Sequence, residues 1–221
     1  MIIGMVLFPN LTQLDLTGPY EVFGRLPSTK VLLIGESLAP VKSDNGLLLT
    51  PDTTFENAPE VDIIFVPGGR GIFEAMQSES LLNFLKQQAV NAKYITSVCT
   101  GSLILAAAGL LNGYQATTHW LSLDLLRLFN IEVLEERVVI DRNRITGGGV
   151  TAGIDFGLSV VAKLFGENVA KETQLMMEYN PQPPFNSGSP KTADSEIVER
   201  VVESRKEIQK ERAELIKKLL L

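Results

Sequence analysis

The chain has 221 residues, 45% of them hydrophobic and 21% charged, which is enough apolar material for the core of one ordinary globular domain. Lys and Arg total 20 against 26 Asp and Glu, a formal net charge of −6, whereas a binder of phosphate backbones carries a basic excess, so nucleic acid is not the expected partner. A single cysteine, Cys99, excludes an intrachain disulfide framework and a Cys-rich zinc site, and the longest apolar run, Leu103 to Leu111, is broken by Gly109 and far short of the roughly 20 residues of a membrane helix.

The opening MIIGMVLFPN turns apolar at once, with no basic region or small-residue cleavage site, so it reads as a first strand, Ile2 to Phe8, and the protein is expected in the cytoplasm. A helical stretch from Leu14 to Leu26 follows, then apolar runs at Lys30 to Ile34, Asp62 to Gly68 and Tyr94 to Val98, which read as buried strands. Between the last two strands and beyond them, helices are expected over Phe73 to Asn91, Thr100 to Leu110, Leu121 to Phe129 and Ala152 to Phe165. Asn45-Gly46, lying between apolar segments, predicts a tight hairpin away from the main sheet, and VLEERVVIDRNRITGG predicts another that turns at Asp141 to Asn143. Strands alternating with helices define an α/β class, a parallel sheet with helices on both faces.

Asn180 to Pro190 is rich in Pro, Ser and Gly and reads as a linker, dividing the chain into a body of residues 1–180 and a segment 181–221. From Lys191 onward, eight basic and seven acidic residues intermix, as on a solvated helix face. Ile197, Val201, Ile208, Leu215 and Leu219 form an apolar stripe interrupted by Ser204 and Arg212, suited to docking on this body or on a second subunit.

The densest chemistry lies in KYITSVCTGSLILAAAGLL. A strand ends at Val98, Cys99 follows, and Thr100, Gly101 and Ser102 open an Ala-rich helix, the layout of a sharp turn that lifts a nucleophile above a sheet. The helix N-terminus favours a thiolate, so the Cys99 pKa is expected to be depressed. Asp15 stands between Leu14 and Leu16, where a carboxylate is either paired, a helix cap, or buried with a raised pKa suited to acid and base work. His119, the single histidine, has no motif tying it to Cys99 and reads as either a pocket residue or a cap. The glycines of VPGGRG let backbone approach a ligand, with N–H groups near Gly69 and Arg70 as candidate stabilisers of negative charge. TGGGVTAGID supplies a further Gly-rich passage into a helix, matching neither a P-loop nor a dinucleotide fingerprint.

Taken in order, LDLTGPYEVF, IIFVPGGRG, SVCTGSLILAAAGLL, ATTHW and ITGGGVTAGIDFGL resemble the PfpI-type branch of the class I glutamine-amidotransferase-like superfamily, over Met1 to Tyr179. Within it, the Cys-Thr pair and the Asp of the first motif look most like the isocyanide (isonitrile) hydratases, which add water to an isocyanide carbon to give an N-substituted formamide. The resemblance implies a flavodoxin-like fold, a homodimer with its site near the subunit interface, a small-molecule substrate, and no metal or organic cofactor. It implies Cys99 as nucleophile forming a thioimidate, Asp15 as the acid that protonates the carbon and later helps activate water, and Thr100 as the residue ordering water or thiolate. Gly69, Arg70, His119, Gly148, Gly149 and Val150 match pocket-lining positions.

Proteases and amidases of this superfamily usually carry His directly after the nucleophile, where this chain has Thr100. Related domains occur in transcription regulators with a C-terminal pair of helix-turn-helix motifs, but about 30 residues after the linker are too few for that region. A redox sensor with an oxidisable cysteine, or a protective glyoxalase-like or chaperone-like relative, is the remaining alternative.

Overall fold

Strand β1 (Ile2–Val6) runs through the middle of the molecule because both of its faces are covered, which is why its sequence is an unbroken apolar run rather than an alternating one. The computed structural model describes residues 1–221. After β1 come helix α1 (Gln13–Phe23), β2 (Lys30–Gly35), the two-residue strands β3 (Val41–Lys42), β4 (Leu48–Leu49) and β5 (Thr53–Thr54), and β6 (Ile63–Val66). Helices α2 (Ile72–Ala75) and α3 (Glu79–Ala89), strand β7 (Tyr94–Val98), helix α4 (Gly101–Ala107) and strand β8 (Gln115–Ala116) follow. A 3-10 turn (Trp120–Ser122), α5 (Leu123–Arg127), β9 (Glu132–Val133), β10 (Val138–Asp141), β11 (Arg144–Gly147), α6 (Ala152–Phe165), α7 (Glu167–Met176) and α8 (Ser195–Leu219) complete the chain.

The main sheet has the order β10-β11-β7-β6-β1-β2-β5, parallel throughout except for the antiparallel β10–β11 edge. This is the flavodoxin-like α/β arrangement expected. The chain steps from β1 to β2 on one side and then to β6, β7 and β11 on the other, so connections leave β1 and β6 in opposite directions and open a crevice at the carboxyl ends of the strands. Ile3, Met5, Ile63, Phe65, Phe23 and Phe156 fill the space between sheet and helices, all fully buried. Small residues bring α1 and α6 together: a Cβ on Gly153 would lie 2.9 Å from Pro19 Cδ.

Both hairpins form where expected, β3–β4 as a separate sheet and β10–β11 at the edge of the main one. The single helix expected over Phe73 to Asn91 is two, because Ser78 stops one and caps the next, its hydroxyl accepting from the Leu81 N–H at 3.3 Å. The helix expected from Leu121 opens as the 3-10 turn and regularises at Leu123. Helix α7 was not legible: it buries only Ala170 and Thr173, too little for an apolar stripe.

Residues 177–194, including the linker stretch, carry neither helix nor strand. Helix α8 then returns to the body and docks against α5 and the 3-10 turn, with Gln209 Nε2 donating to the Leu121 carbonyl at 2.9 Å. Its buried residues are Arg212, Leu215 and Ile216, whereas Val201 and Leu219 of the expected stripe are exposed. No helix is long and apolar enough to cross a membrane.

Candidate active site

Cys99 directly follows β7 and adopts φ +52°, a left-handed conformation that costs a non-glycine residue energy and is held only by its surroundings. Its N–H donates to the carbonyls of Gly147 (3.0 Å) and Gly148 (2.8 Å), and its carbonyl accepts from the Thr118 hydroxyl at 2.9 Å. Strand, hairpin edge and the ATTHW segment therefore clamp the turn from both sides. The turn also needs bare backbone beside it: a Cβ on Gly101 would lie 2.2 Å from the Val66 carbonyl oxygen, and one on Gly68 2.5 Å from the Thr100 nitrogen.

Asp15 sits in the first turn of α1 and is 0% exposed. It is not the helix cap, a position taken by Thr12; instead its Oδ2 accepts from the Gly68 N–H at 3.1 Å, across from the end of β6. Its Oδ1 is buried and meets no N–H or O–H donor, the Cys99 thiol being the one other group that favours the ionised carboxyl through its side chain. Burial raises the Asp15 carboxyl from 3.8 to about 7, although contacts with the Cys99 thiol and the Gly68 N–H pull the other way.

The expected depression of the Cys99 pKa is not found. The thiol is pushed well above its ordinary value, first by burial and then by the negative charge of Asp15, and these outweigh the N–H groups of Val150 and Thr100 that point at the sulfur. The helix N-terminus contributes as anticipated, but the carboxyl group brought in from α1 reverses the balance. Burial and the Asp15 charge thus favour the protonated thiol.

The glycine loop also differs from expectation. The Gly69 N–H, a candidate stabiliser of negative charge, donates to Thr100 Oγ1 at 3.1 Å, and the Gly68 N–H is committed to Asp15. The loop's backbone thus positions Thr100 and Asp15. His119 caps the 3-10 turn, with Nδ1 accepting from the Leu121 N–H at 3.3 Å. Burial and the charges of Arg212 and Arg205 lower its pKa to about 4, so it is neutral at pH 7 with its acceptor nitrogen already engaged.

A cavity of about 340 Å³ opens at the sulfur and brings together Gly69, Arg70, Cys99, Thr100, His119 and Val150. Gly148 and Gly149 line a neighbouring cavity of about 420 Å³, which shares only His119 and Val150 with the first. Sequence reasoning missed the far wall of the thiol cavity, formed by Arg205, Ile208, Gln209 and Arg212 of α8. The one available signal was Arg212 itself, a charge interrupting an apolar stripe. No cluster of three or more His, Cys, Asp or Glu side chains capable of holding a metal ion is present.

An α/β sheet with a buried cysteine on a left-handed turn and an acid delivered from the first helix defines the class. The chain matches the DJ-1/PfpI family over residues 1–163 and belongs to it. Among individual relatives, the isonitrile hydratase of Pseudomonas putida is 53% identical over 197 residues, covering 89% of this chain and 86% of that protein. The helix-turn-helix-type transcriptional regulator GbdR of Pseudomonas aeruginosa is 34% identical over 80% of this chain, which spans 50% of the regulator's length. The crystal structure of a THiJ/PfpI family protein from Pseudomonas syringae superposes with a TM-score of 0.95 at 47% identity, covering 97% of this chain and 90% of that one. Drosophila melanogaster DJ-1beta shares the fold, with a TM-score of 0.73 at 24% identity over 80% of this chain and 97% of that one.

Proposed function

We propose that the protein is an isonitrile hydratase, converting an isocyanide and water to an N-substituted formamide, with Cys99 as nucleophile and Asp15 as the proton carrier. The reading is carried by the Cys99–Asp15 pair: a thiol and a carboxyl that share one buried environment, in a chain 53% identical to an isonitrile hydratase.

The terminal carbon of an isocyanide accepts a nucleophile and a proton at the same atom. Ionised Asp15 takes the thiol proton, the sulfur bonds to the carbon, and Asp15 returns that proton to the same carbon, giving a neutral thioimidate, R–N=CH–S–Cys99. The unpartnered Oδ1 is the oxygen free for this work, since Oδ2 is tied to Gly68. Water then adds to the thioimidate carbon, Asp15 accepting its proton and passing it to nitrogen. The C–S bond breaks as the carbonyl forms, the hydroxyl proton passing by way of Asp15 to the sulfur, which releases R–NH–CHO and restores the thiol. Thr100 and Val150 N–H groups steady the sulfur during attack and departure.

Neutral His119 is not the base, because its Nδ1 is occupied. A protonated, buried thiol is also a poor oxidation target, which weighs against the redox-sensor reading. We place the enzyme in the cytoplasm, where its free thiol stays reduced, acting as a homodimer on a small molecule rather than nucleic acid. Formation of N-formamide from a simple alkyl or aryl isocyanide, followed by mass spectrometry, tests the assignment. The native chain should form it and Cys99→Ala should not; formation by Cys99→Ala at the native rate, or none by the native chain with several isocyanides, overturns it.

A further inference from the structure

The cavity at Cys99 is walled by three guanidiniums, Arg70, Arg205 and Arg212, against one carboxylate, Asp44, whose Oδ2 accepts from the Thr12 hydroxyl and whose Oδ1 is buried without a partner. None of the three arginines is in an ion pair. Arg212 is the unusual one. It is only 7% exposed, on the inner face of α8, and a buried guanidinium is ordinarily matched by a carboxylate. Here its Nη2 donates to the Gly69 carbonyl at 3.2 Å and its Nε is buried without a partner. Its Nη1 makes no hydrogen bond within the protein and is not among the buried atoms, so it is open to the cavity. Arg212 lines the same cavity as Cys99 and His119.

A cation in this position has no charge to meet on a neutral hydrocarbon isocyanide, and its burial is offset only in part, by the Gly69 carbonyl and the charge of Glu74, until an anion arrives. We infer that the site takes isocyanides that carry an anionic substituent, such as a carboxylate, and that Arg212 of the C-terminal helix receives that group, with Arg205 behind it. This rests on the hydratase reading for the reaction but not for the anion selectivity. Held at Gly69 by Nη2, Arg212 presents Nη1 to the ligand at little further cost in side-chain entropy.

Two comparisons on the full-length protein test this. In the first, kcat/KM is measured for an ω-isocyano carboxylate and for its methyl ester, with native protein, Arg212→Gln, Arg212→Lys and Arg205→Gln. The native chain should prefer the carboxylate at least tenfold, and Arg212→Gln should bring the ratio near one, chiefly through KM. Arg212→Lys should keep part of the preference, and Arg205→Gln should reduce it by a smaller factor. In the second, Cys99 is alkylated with iodoacetate and iodoacetamide, near-isosteric reagents that differ in charge. The ratio of the two rates, divided by that of a free thiol, should fall at least threefold from native to Arg212→Gln.

If no isocyanide is hydrated but the alkylation ratio falls, the hydratase reading fails and anion selection stands. If the native chain does not prefer the carboxylate, or Arg212→Gln weakens both substrates and both reagents equally, Arg212 only braces the Gly69 loop and the proposal is overturned. Should Arg212→Gln not fold, Arg212→Lys and Arg205→Gln carry the same two ratios, and native-like ratios in both overturn it equally.

Discussion

A carboxyl group with no exposed surface is least costly to a fold while it is protonated, and Asp15 at about 7 is ionised through much of the physiological range. Its folded pKa is raised above the unfolded value, so its contribution to stability is fully present below pH 3.8 and is lost as pH rises through about 7. At pH 8 the difference amounts to about 4 kcal/mol at most. Asp15→Asn should therefore raise the melting temperature at pH 8 and lose that advantage by about pH 4, as scanning calorimetry at the two pH values would read; a variant less stable than native at both contradicts the buried-charge argument. The same substitution removes the proposed proton carrier, and hydration should fall by roughly 10² to 10⁴. Because the ionised carboxyl must accept the thiol proton, kcat/KM for a neutral isocyanide should fall about tenfold per pH unit below about 7, and a flat profile down to about pH 5.5 would remove Asp15 from that step. Cys99 and Asp15 were legible in the sequence as a cysteine at a strand end and a carboxylate between leucines. The direction of the thiol's pKa was not, since it depends on a carboxyl that lies 84 positions away in sequence and is brought near only by the fold.

At the scale of elements, the turn that presents Cys99 depends on two backbone approaches that no side chain can share. Gly101→Ala would drive a methyl group into the Val66 carbonyl and should cost several kcal/mol, read as a lowered denaturation midpoint or loss of soluble protein. Native-like stability would mean that α4 can withdraw from β6 without harm. Most elements were legible because buried parallel strands are nearly uniform in hydrophobicity and hairpins carry their turn residues at the tip, as at Asn45-Gly46. The break at Ser78 was missed because the apolar pattern continues across it, and a cap is a local hydrogen bond rather than a change of period. The role of the glycine loop was read half correctly: its backbone is at the site, but Gly68 and Gly69 spend their N–H groups on Asp15 and Thr100.

Across the whole molecule, the C-terminal helix closes the thiol cavity and is joined to the family's α/β body by the segment 177–194. Its anchor is small: Leu215 and Ile216 join the body's hydrophobic cluster, and Ile216 is fully buried. Ile216→Asp should release α8 and speed cleavage within residues 177–194 in limited proteolysis, while β7 and α4 stay protected; an unchanged digestion pattern would mean that the polar contacts of Gln209 and Arg212 suffice to hold it. The sequence marked this helix as one that docks, yet its site face was invisible, because a stripe is recognised by apolar residues and the residue that reaches the cavity is an arginine.

Intact-protein mass spectrometry during a single turnover bears most directly on the central claim, covalent hydration at Cys99. Mixed with a slowly hydrated isocyanide, the protein should gain the full mass of the isocyanide, mapped to Cys99 by digestion, and lose it at the rate at which formamide appears. Formamide released at full rate with no adduct on Cys99 at any time would contradict the thioimidate and, with it, the nucleophilic role of the thiol.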